Sequence, residues 1–322
     1  MYNNYSCVNC KRKLILNNNI YSCVNCKINF LVKNDISILL NSSLDSFKES
    51  EALFHDKEAE NFSDKNRKNS IRVSKYHDDY LLYFEKLNKG SLVLEIGCGG
   101  GIESYRLSKI GLNIMVSDIS IGMVKKAKSI IQNDLNDDSI NFLVCDAEDL
   151  PFSNNSIDSI LIVASLHHLP NPDIFFREAS RVLKPEGLLV IGFEPNRWPY
   201  YTVYPFMRLI GKFLKKTSRR EDDVSIGDIE TEGFVRKDFT NFVAHNNLEI
   251  TRIQRIWFIN GFVHTALARL NKNRNVDDII DIPDSLQRFI IIIDQLISYI
   301  PIINNLCWHW NIILKNKSDD KY

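Results

Sequence analysis

Apolar positions in the middle of the chain come in short unbroken runs: Leu92–Ile96, Asn113–Val116, Ile140–Val144, Ile157–Val163 and Leu188–Gly192. Runs of this length with no polar face read as strands covered on both sides, as in a parallel sheet. Helical spacing fills the gaps. Ile102–Ile110 is closed by Gly111, and Asn171–Leu183 places Phe175, Phe176, Ala179 and Val182 on one side before the turn Lys184-Pro-Glu-Gly187. Ser70–Lys89 predicts an amphipathic helix, with Tyr76, Tyr80, Tyr83, Phe84 and Leu87 at spacings of three and four. Such aromatics are more often plain core than part of a site. Strands alternating with helices give an α/β fold with a doubly wound sheet. Later, Phe239–Asn246 reads as a helix, Leu248–Trp257 alternates as a sixth strand and Trp308–Leu314 forms a seventh.

The two ends and one insertion follow other patterns. Residues 1–40 hold short apolar pieces around cysteines, with a hairpin expected over Leu14–Ile20 and strands at Phe30–Val32 and Ile36–Leu40. Residues 41–69 are polar and charged, a linker with a helix over Ser46–Glu60. The sheet-forming core is expected over 70–259, with a substrate or lid segment at 194–240. An insertion at 260–306 separates the last two strands. Its second half, Ser285–Ile300, puts Ile290, Ile293, Ile297 and Ile300 on one face, with Asp294 and Ser298 on the flank. Residues 307–316 return to the core, and the tail 317–322 reads as disordered.

Composition narrows this little. The chain has 322 residues, 44% hydrophobic and 25% charged, which suits a normal core. The formal net charge of zero supplies no overall pull toward nucleic acid. Met1-Tyr-Asn-Asn-Tyr5 is polar and unlike a secretory signal. The longest apolar candidate for a membrane span is broken by Asp294 and Pro301. A cytoplasmic location is therefore expected, with peripheral membrane contact as a variant and no transmembrane segment.

The candidate chemistry sits at the ends of the apolar runs. The first breaks into Gly97, Gly99, Gly100 and Gly101, and a strand, glycine turn and helix open a nucleotide-binding unit. Glu95 lies two residues before the first glycine. Asp118 closes the second run, where an acid meets ribose hydroxyls. The third run ends in Asp146-Ala-Glu-Asp-Leu-Pro-Phe152. With Leu166-His-His-Leu-Pro170 and Val182-Leu-Lys-Pro-Glu-Gly-Leu-Leu-Val190, these motifs resemble the class I S-adenosylmethionine (SAM) methyltransferases, in the branch that includes quinone-biosynthesis C-methyltransferases. The resemblance covers roughly Leu81–Asn196 and the last strands. It implies a Rossmann-like sheet of seven strands, the last antiparallel, and SAM as cofactor. It assigns Gly97 and Gly99 to the methionine part, Gly101 to the helix start and Glu95 to the ammonium group. Asp118 falls to the ribose, Ile119 to the adenine face, and Asp146 and Ala147 to the adenine edge, with Val163 closing the set. A helix at 70–89 commonly covers the cofactor in this family, which brings in Tyr76 or Tyr80. Asp146 and Asp149 also suit plain loop capping. A nicotinamide dehydrogenase is the rival for the first unit, but Asp146-Ala147 and the Trp308–Leu314 strand fit SAM better.

Cys7-x2-Cys10 and Cys23-x2-Cys26 carry a second signal. The hexapeptide Tyr-Ser-Cys-Val-Asn-Cys occurs twice, at Tyr5 and Tyr21, each copy followed by a lysine. Two such turns suit a tetrahedral four-cysteine site for structural Zn2+; disulfides are the alternative, disfavoured in a reducing compartment. The segment resembles the small zinc-ribbon partner subunits of tRNA, rRNA and release-factor methyltransferases, and the zinc-binding front end of 23S rRNA guanine methyltransferases. Lys11, Arg12, Lys13, Lys27 and Lys33 either meet RNA phosphates or form an ordinary solvated face.

The expected activity is SAM-dependent methyl transfer to a small-molecule or lipid-linked acceptor. The aromatic stretch Trp198, Tyr200, Tyr201, Tyr204 and Phe206 favours this, as do the basic helix Met207–Lys216 with Arg219 and Arg220 beyond it, and the apolar insertion. Methylation of rRNA or tRNA through the ribbon is the alternative, and a non-catalytic SAM-binding scaffold a third. Val163-Ala-Ser-Leu166 replaces the Asn/Asp-Pro-Pro-aromatic motif of nucleic-acid amino methyltransferases and argues against that type. His167 or His168 is a candidate general base, though the His-His-Leu-Pro turn also suits a structural role.

Overall fold

The computed structural model describes residues 2, 4–41, 43–61, 71–134, 139–202, 225, 233–271 and 280–317, and the statements below concern these. Each apolar run becomes a strand: β5 Leu92–Ile96, β6 Asn113–Asp118, β7 Ile140–Val144, β8 Ile157–Val163 and β9 Leu183–Pro195. With β10 Leu248–Ile256 and β11 His309–Asn316 they lie in the order β7-β6-β5-β8-β9-β11-β10. The first five are parallel, and β11 inserts antiparallel between β9 and β10. β9 absorbs the turn expected at 184–187: pairing with β8 jumps from Ile157↔Leu183 to Ser159↔Leu188, with Glu186 at φ 67°. The strand order reverses between β5 and β8, and the crevice at such a reversal is where doubly wound sheets hold ligands.

The helices are α1 Ser46–Asn61, α2 Ile71–Leu81, α3 Ile102–Ser108, α4 Ile121–Asp134, α5 Pro172–Val182, α6 Arg197–Thr202, α7 Arg236–Ala244, α8 Ile259–Asn271 and α9 Asp284–Ile297. α4 adds to the elements expected above; its Met123, Val124, Ala127 and Ile131 are all buried. Much of 194–240 lies outside the described residues, including Tyr204, Phe206, Met207–Lys216, Arg219 and Arg220, as do 62–70 and 318–322. No helix among the described residues is long and apolar enough to cross a membrane.

The N-terminal module is built into the sheet. β1 Ile15–Asn17 and β2 Ile20–Cys23 form the expected hairpin. Asn18 and Asn19 both take positive φ (47° and 60°), as a two-residue primed turn requires. β3 Ile28–Lys33 continues it. β4 Ile36–Ile38 then pairs antiparallel with β3 on one side and parallel with β7 on the other. Tyr5 bridges to Phe152, their rings 5.7 Å apart, and the Ser6 amide donates to the Pro151 carbonyl at 2.9 Å. One apolar cluster runs from Tyr5, Tyr21 and Phe30 into Phe152, Phe175 and Phe176.

In the insertion, Ile290 is buried as the helical face predicts, but Ile300 is exposed and Asp294 is buried rather than flanking. The Asp294 carboxylate accepts from the Phe258, Ile259 and Asn260 amides at 3.1, 2.7 and 3.3 Å, capping the start of α8. A helix N-terminus with free N–H groups outweighs the apolar pattern at that position.

Candidate functional site

A cavity of about 430 Å³ opens at the C-terminal ends of β5, β6, β7 and β8. That is within the ordinary range for small-ligand sites. Its floor is made of strand ends. After Ile96 the chain turns left-handed at Gly97, Gly99 and Gly101 (φ 65°, 48° and 74°) and enters α3. A Cβ at Gly97 would sit 2.4 Å from the Ser165 hydroxyl, so glycine is required there by space as well as backbone angle. Asp118 is held from both sides: its Oδ2 accepts from the Gly99 amide at 3.1 Å and its Oδ1 from the Ser120 amide at 3.0 Å. Burial raises its pKa above the usual carboxylate value, against the pull of those amides and of His55. Glu95 accepts from the Ser104 hydroxyl. Burial and the neighbouring Glu103 push Glu95 up to about 8.

Ile119, Asp146, Ala147 and Val163 complete the floor. Asp146 serves two ends: its Oδ1 accepts from the Glu148 amide at 2.8 Å, as a loop cap, and its Oδ2 meets the Lys48 ammonium at 2.7 Å in the cavity wall. Among the residues expected at the cofactor, Glu95, Gly97, Gly99, Asp118, Ile119, Asp146, Ala147 and Val163 line one cavity. Gly101 stands behind it, where a Cβ would lie 2.8 Å from that of Ala127, so it sets the close approach of α3 and α4.

The roof is α1, from the stretch expected to be a linker. Asp45 caps it through the Lys48 amide at 2.9 Å. α1 packs against α4, and Asp56 accepts from the Gly122 amide and the Ser120 hydroxyl at 2.7 and 2.6 Å. Lys48, Glu51, His55 and Glu58 face the cavity. Lys48 also reaches Glu148 at 2.7 Å. The signal was present in the sequence: these four ionisable residues recur at spacings of three, four and three, a polar stripe on one helical face. α2 adds His77, which meets Glu103, while Tyr76 and Tyr80 are buried away from the lining, as core aromatics.

The two histidines part company. They occupy a 3-10 turn, Leu166–His168, with their rings 4.2 Å apart, and differ in their partners. His167 is buried, its Nδ1 2.8 Å from Glu194, which also accepts from the His167 amide at 2.8 Å. His168 lines the cavity, with Nδ1 2.9 Å from Glu51. Glu194, fully buried, and Glu51 were both missed by sequence reasoning, because their partners come from distant elements.

At the other end, the sulfurs of Cys7, Cys10, Cys23 and Cys26 lie within 4.8 Å of one another. None of the four is paired in a disulfide. Lys11 and Lys27 take matching left-handed φ of 57° and 56°, and their amides close identical turns onto the Cys7 and Cys23 carbonyls. Cys10 and Cys23 stand 3.5 Å apart, close to the ~3.8 Å that bonds of about 2.3 Å to a tetrahedral ion would set. The Arg12 amide draws Cys10 down to about 7, while burial pushes Cys7 up to about 12. An ion among them would remove both protons. Lys11 is not simply solvated: it pairs with Asp149 and Glu178 of the sheet domain while about a third of its side chain stays exposed.

Comparison with known proteins agrees with this geometry. Residues 94–191 match the methyltransferase-domain family. Demethylmenaquinone methyltransferase of Renibacterium salmoninarum is 34% identical over 133 residues, 40% of this chain and 54% of that protein. The 27-O-demethylrifamycin SV methyltransferase of Amycolatopsis mediterranei is 36% identical over 108 residues, 33% of this chain and 39% of that protein. The chain spans about two fifths to just over half of the length of such curated relatives. In fold it is similar to phosphoethanolamine N-methyltransferase 2 of Haemonchus contortus in complex with S-adenosyl-L-methionine. The TM-score there is 0.56 at 16% identity, over 85% of this chain and 60% of that one. Residues 94–191 thus match a methyltransferase-domain model, and the sheet has the class I, Rossmann-like α/β fold.

Proposed function

We propose that the protein transfers a methyl group from SAM to a small-molecule or lipid-linked acceptor. The observation that carries this reading is Asp118. A buried carboxylate at the end of β6, fixed by one backbone amide on each oxygen, keeps lone pairs on both for two vicinal hydroxyls. Glu95 sits behind the glycine turn for an ammonium group, and Ile119, Asp146 and Ala147 take the adenine. Bound there, SAM supplies a methyl group already activated by its sulfonium. The chain's own task is alignment and exclusion of water, and alignment alone can contribute about 7–11 kcal/mol. His168 is the imidazole that faces the acceptor side. His167, tied to Glu194, is a positioning residue for the 3-10 turn.

The acceptor class draws support from the names of the relatives, a quinone precursor and a rifamycin among them. It also draws on the exposed apolar face of α9, where Phe289, Ile292 and Leu296 are left to solvent. The four cysteines hold a structural Zn2+. Lys11 is engaged with the sheet domain, so the ribbon's basic residues are in part internal struts, which weighs against the RNA reading. The test is methyl-labelled SAM incubated with purified protein and host lysate, followed by separation of RNA, protein, lipid and small polar fractions. Label in the lipid or small polar fraction is the expected result. Label in RNA would overturn the acceptor class, and failure of the protein to bind SAM would overturn the reading as a whole.

A further inference from the structure

The roof and the 3-10 turn meet at three side chains that methyl transfer does not itself require. Glu51 and His55 are one helical turn apart on α1, and His168 comes from beyond β8. One ligand atom from each lies within 4.8 Å of the other two. The Glu51 carboxylate stands 2.9 Å from His168 Nδ1 and 3.6 Å from His55 Nε2. The longer separation is outside hydrogen-bond range. It does fit a shared ion: with bonds near 2.1 Å, neighbouring ligand atoms are about 3.0 Å apart in an octahedral site and about 3.4 Å in a tetrahedral one. The far side of His55 is also arranged. Glu58 accepts at His55 Nδ1 at 2.9 Å, which leaves Nε2 aimed at Glu51. A carboxylate behind an imidazole in this way is the habitual support of a metal-ligating histidine. All three candidate ligands line the cavity.

From this arrangement we infer that Glu51, His55 and His168 form a second metal site, for a divalent transition ion, with its open coordination positions facing the cavity. Two imidazoles and one carboxylate suit Mn2+, Fe2+, Co2+ or Zn2+. Three protein ligands leave room for oxygens of another molecule. Resting on the methyl-transfer reading, that molecule would be an acceptor that presents a hydroxyl, or a hydroxyl beside a carbonyl, to the ion. The ion would then favour the ionised form of that hydroxyl. His168 serves as ligand here rather than as base.

Mn2+ is the probe that separates this site from the cysteines, because thiolates select zinc and Mn2+ stands lowest in the affinity order for such ligands. The full-length, zinc-loaded protein is titrated with Mn2+ and followed by electron paramagnetic resonance. One Mn2+ per chain is expected, with affinity lowered at least ~100-fold in His55→Ala. Glu58→Ala should lower it about 10- to 100-fold. The Glu58 side chain is 52% exposed, so this second variant spares the fold. No bound Mn2+ in the wild-type protein, or binding that neither substitution weakens, overturns the inference. A SAM titration run alongside keeps the two readings apart: loss of SAM binding would sink methyl transfer and leave the ion count as it is.

Discussion

The cavity has two walls made by opposite means. The floor is strand ends, where sheet register places Glu95, Asp118 and Val163, the loop after β7 adds Ala147, and backbone amides hold the Asp118 oxygens. The roof is one helix with few apolar residues of its own, held on by ion pairs, a cap and contact with α4. A floor built on main-chain pairing cannot give way without breaking the sheet. A roof built on side chains can loosen while the fold stays whole.

Substitutions can test that contrast. The largest effect is expected at the floor: Asp118→Ala should weaken SAM binding at least ~100-fold by calorimetry, since charged hydrogen bonds to both ribose hydroxyls are lost (about 1.5–3 kcal/mol each). A loss below tenfold would remove Asp118 from the ribose. Next is Glu95, whose carboxyl keeps its proton to about 8 in the folded chain, against an ordinary value of 4.5. The folded state then binds the extra proton, so ligand-free stability falls as pH rises from about 4.5 to about 8. Melting curves of Glu95→Gln should be flatter over that window, and added SAM should flatten the wild-type curve as its ammonium pairs with the carboxylate. Equal slopes in both proteins would count against this placement. At the roof, Lys48→Ala should cost about tenfold in SAM affinity with little change in melting temperature; a collapse of the fold would mean that the roof is as integral as the floor. Smallest is Asp45→Ala, the cap of α1, expected to destabilise by about 1 kcal/mol in denaturant titration. No loss there would show that the ion pairs alone hold the helix.

The same contrast explains what could be read in advance. Apolar runs ending in glycine or acid mark the floor, because strand register converts sequence order directly into position. The extent of α1 was legible, from Ser46 to within a residue of its end, but not its place. Apolar period finds helices that cover a core, whereas α1 turns Lys48, Glu51, His55 and Glu58 inward. The adjacent imidazoles of His167 and His168 could not be told apart until Glu194 and Glu51 arrived from 27 residues downstream and 117 upstream. The hairpin of the ribbon was visible in Asn18 and Asn19. The joining of Ile36–Ile38 to Ile140–Val144 was not, because main-chain pairing along a strand leaves no side-chain signature.

That joining has a bearing on solubility. In a sheet ending at β7, a row of main-chain donors and acceptors would stand open beside the buried Phe142 and Leu143, a template for association with any other chain. The N-terminal module covers this border with β4 and carries the sheet on through two more strands to β1. There the final border is only three residues long and ends at the polar Asn17-Asn-Asn19. Short borders next to polar turns are the ones least able to recruit a stray strand. Besides whatever its cysteines hold, the module thus acts as a stopper against edge-to-edge association at this border of the sheet.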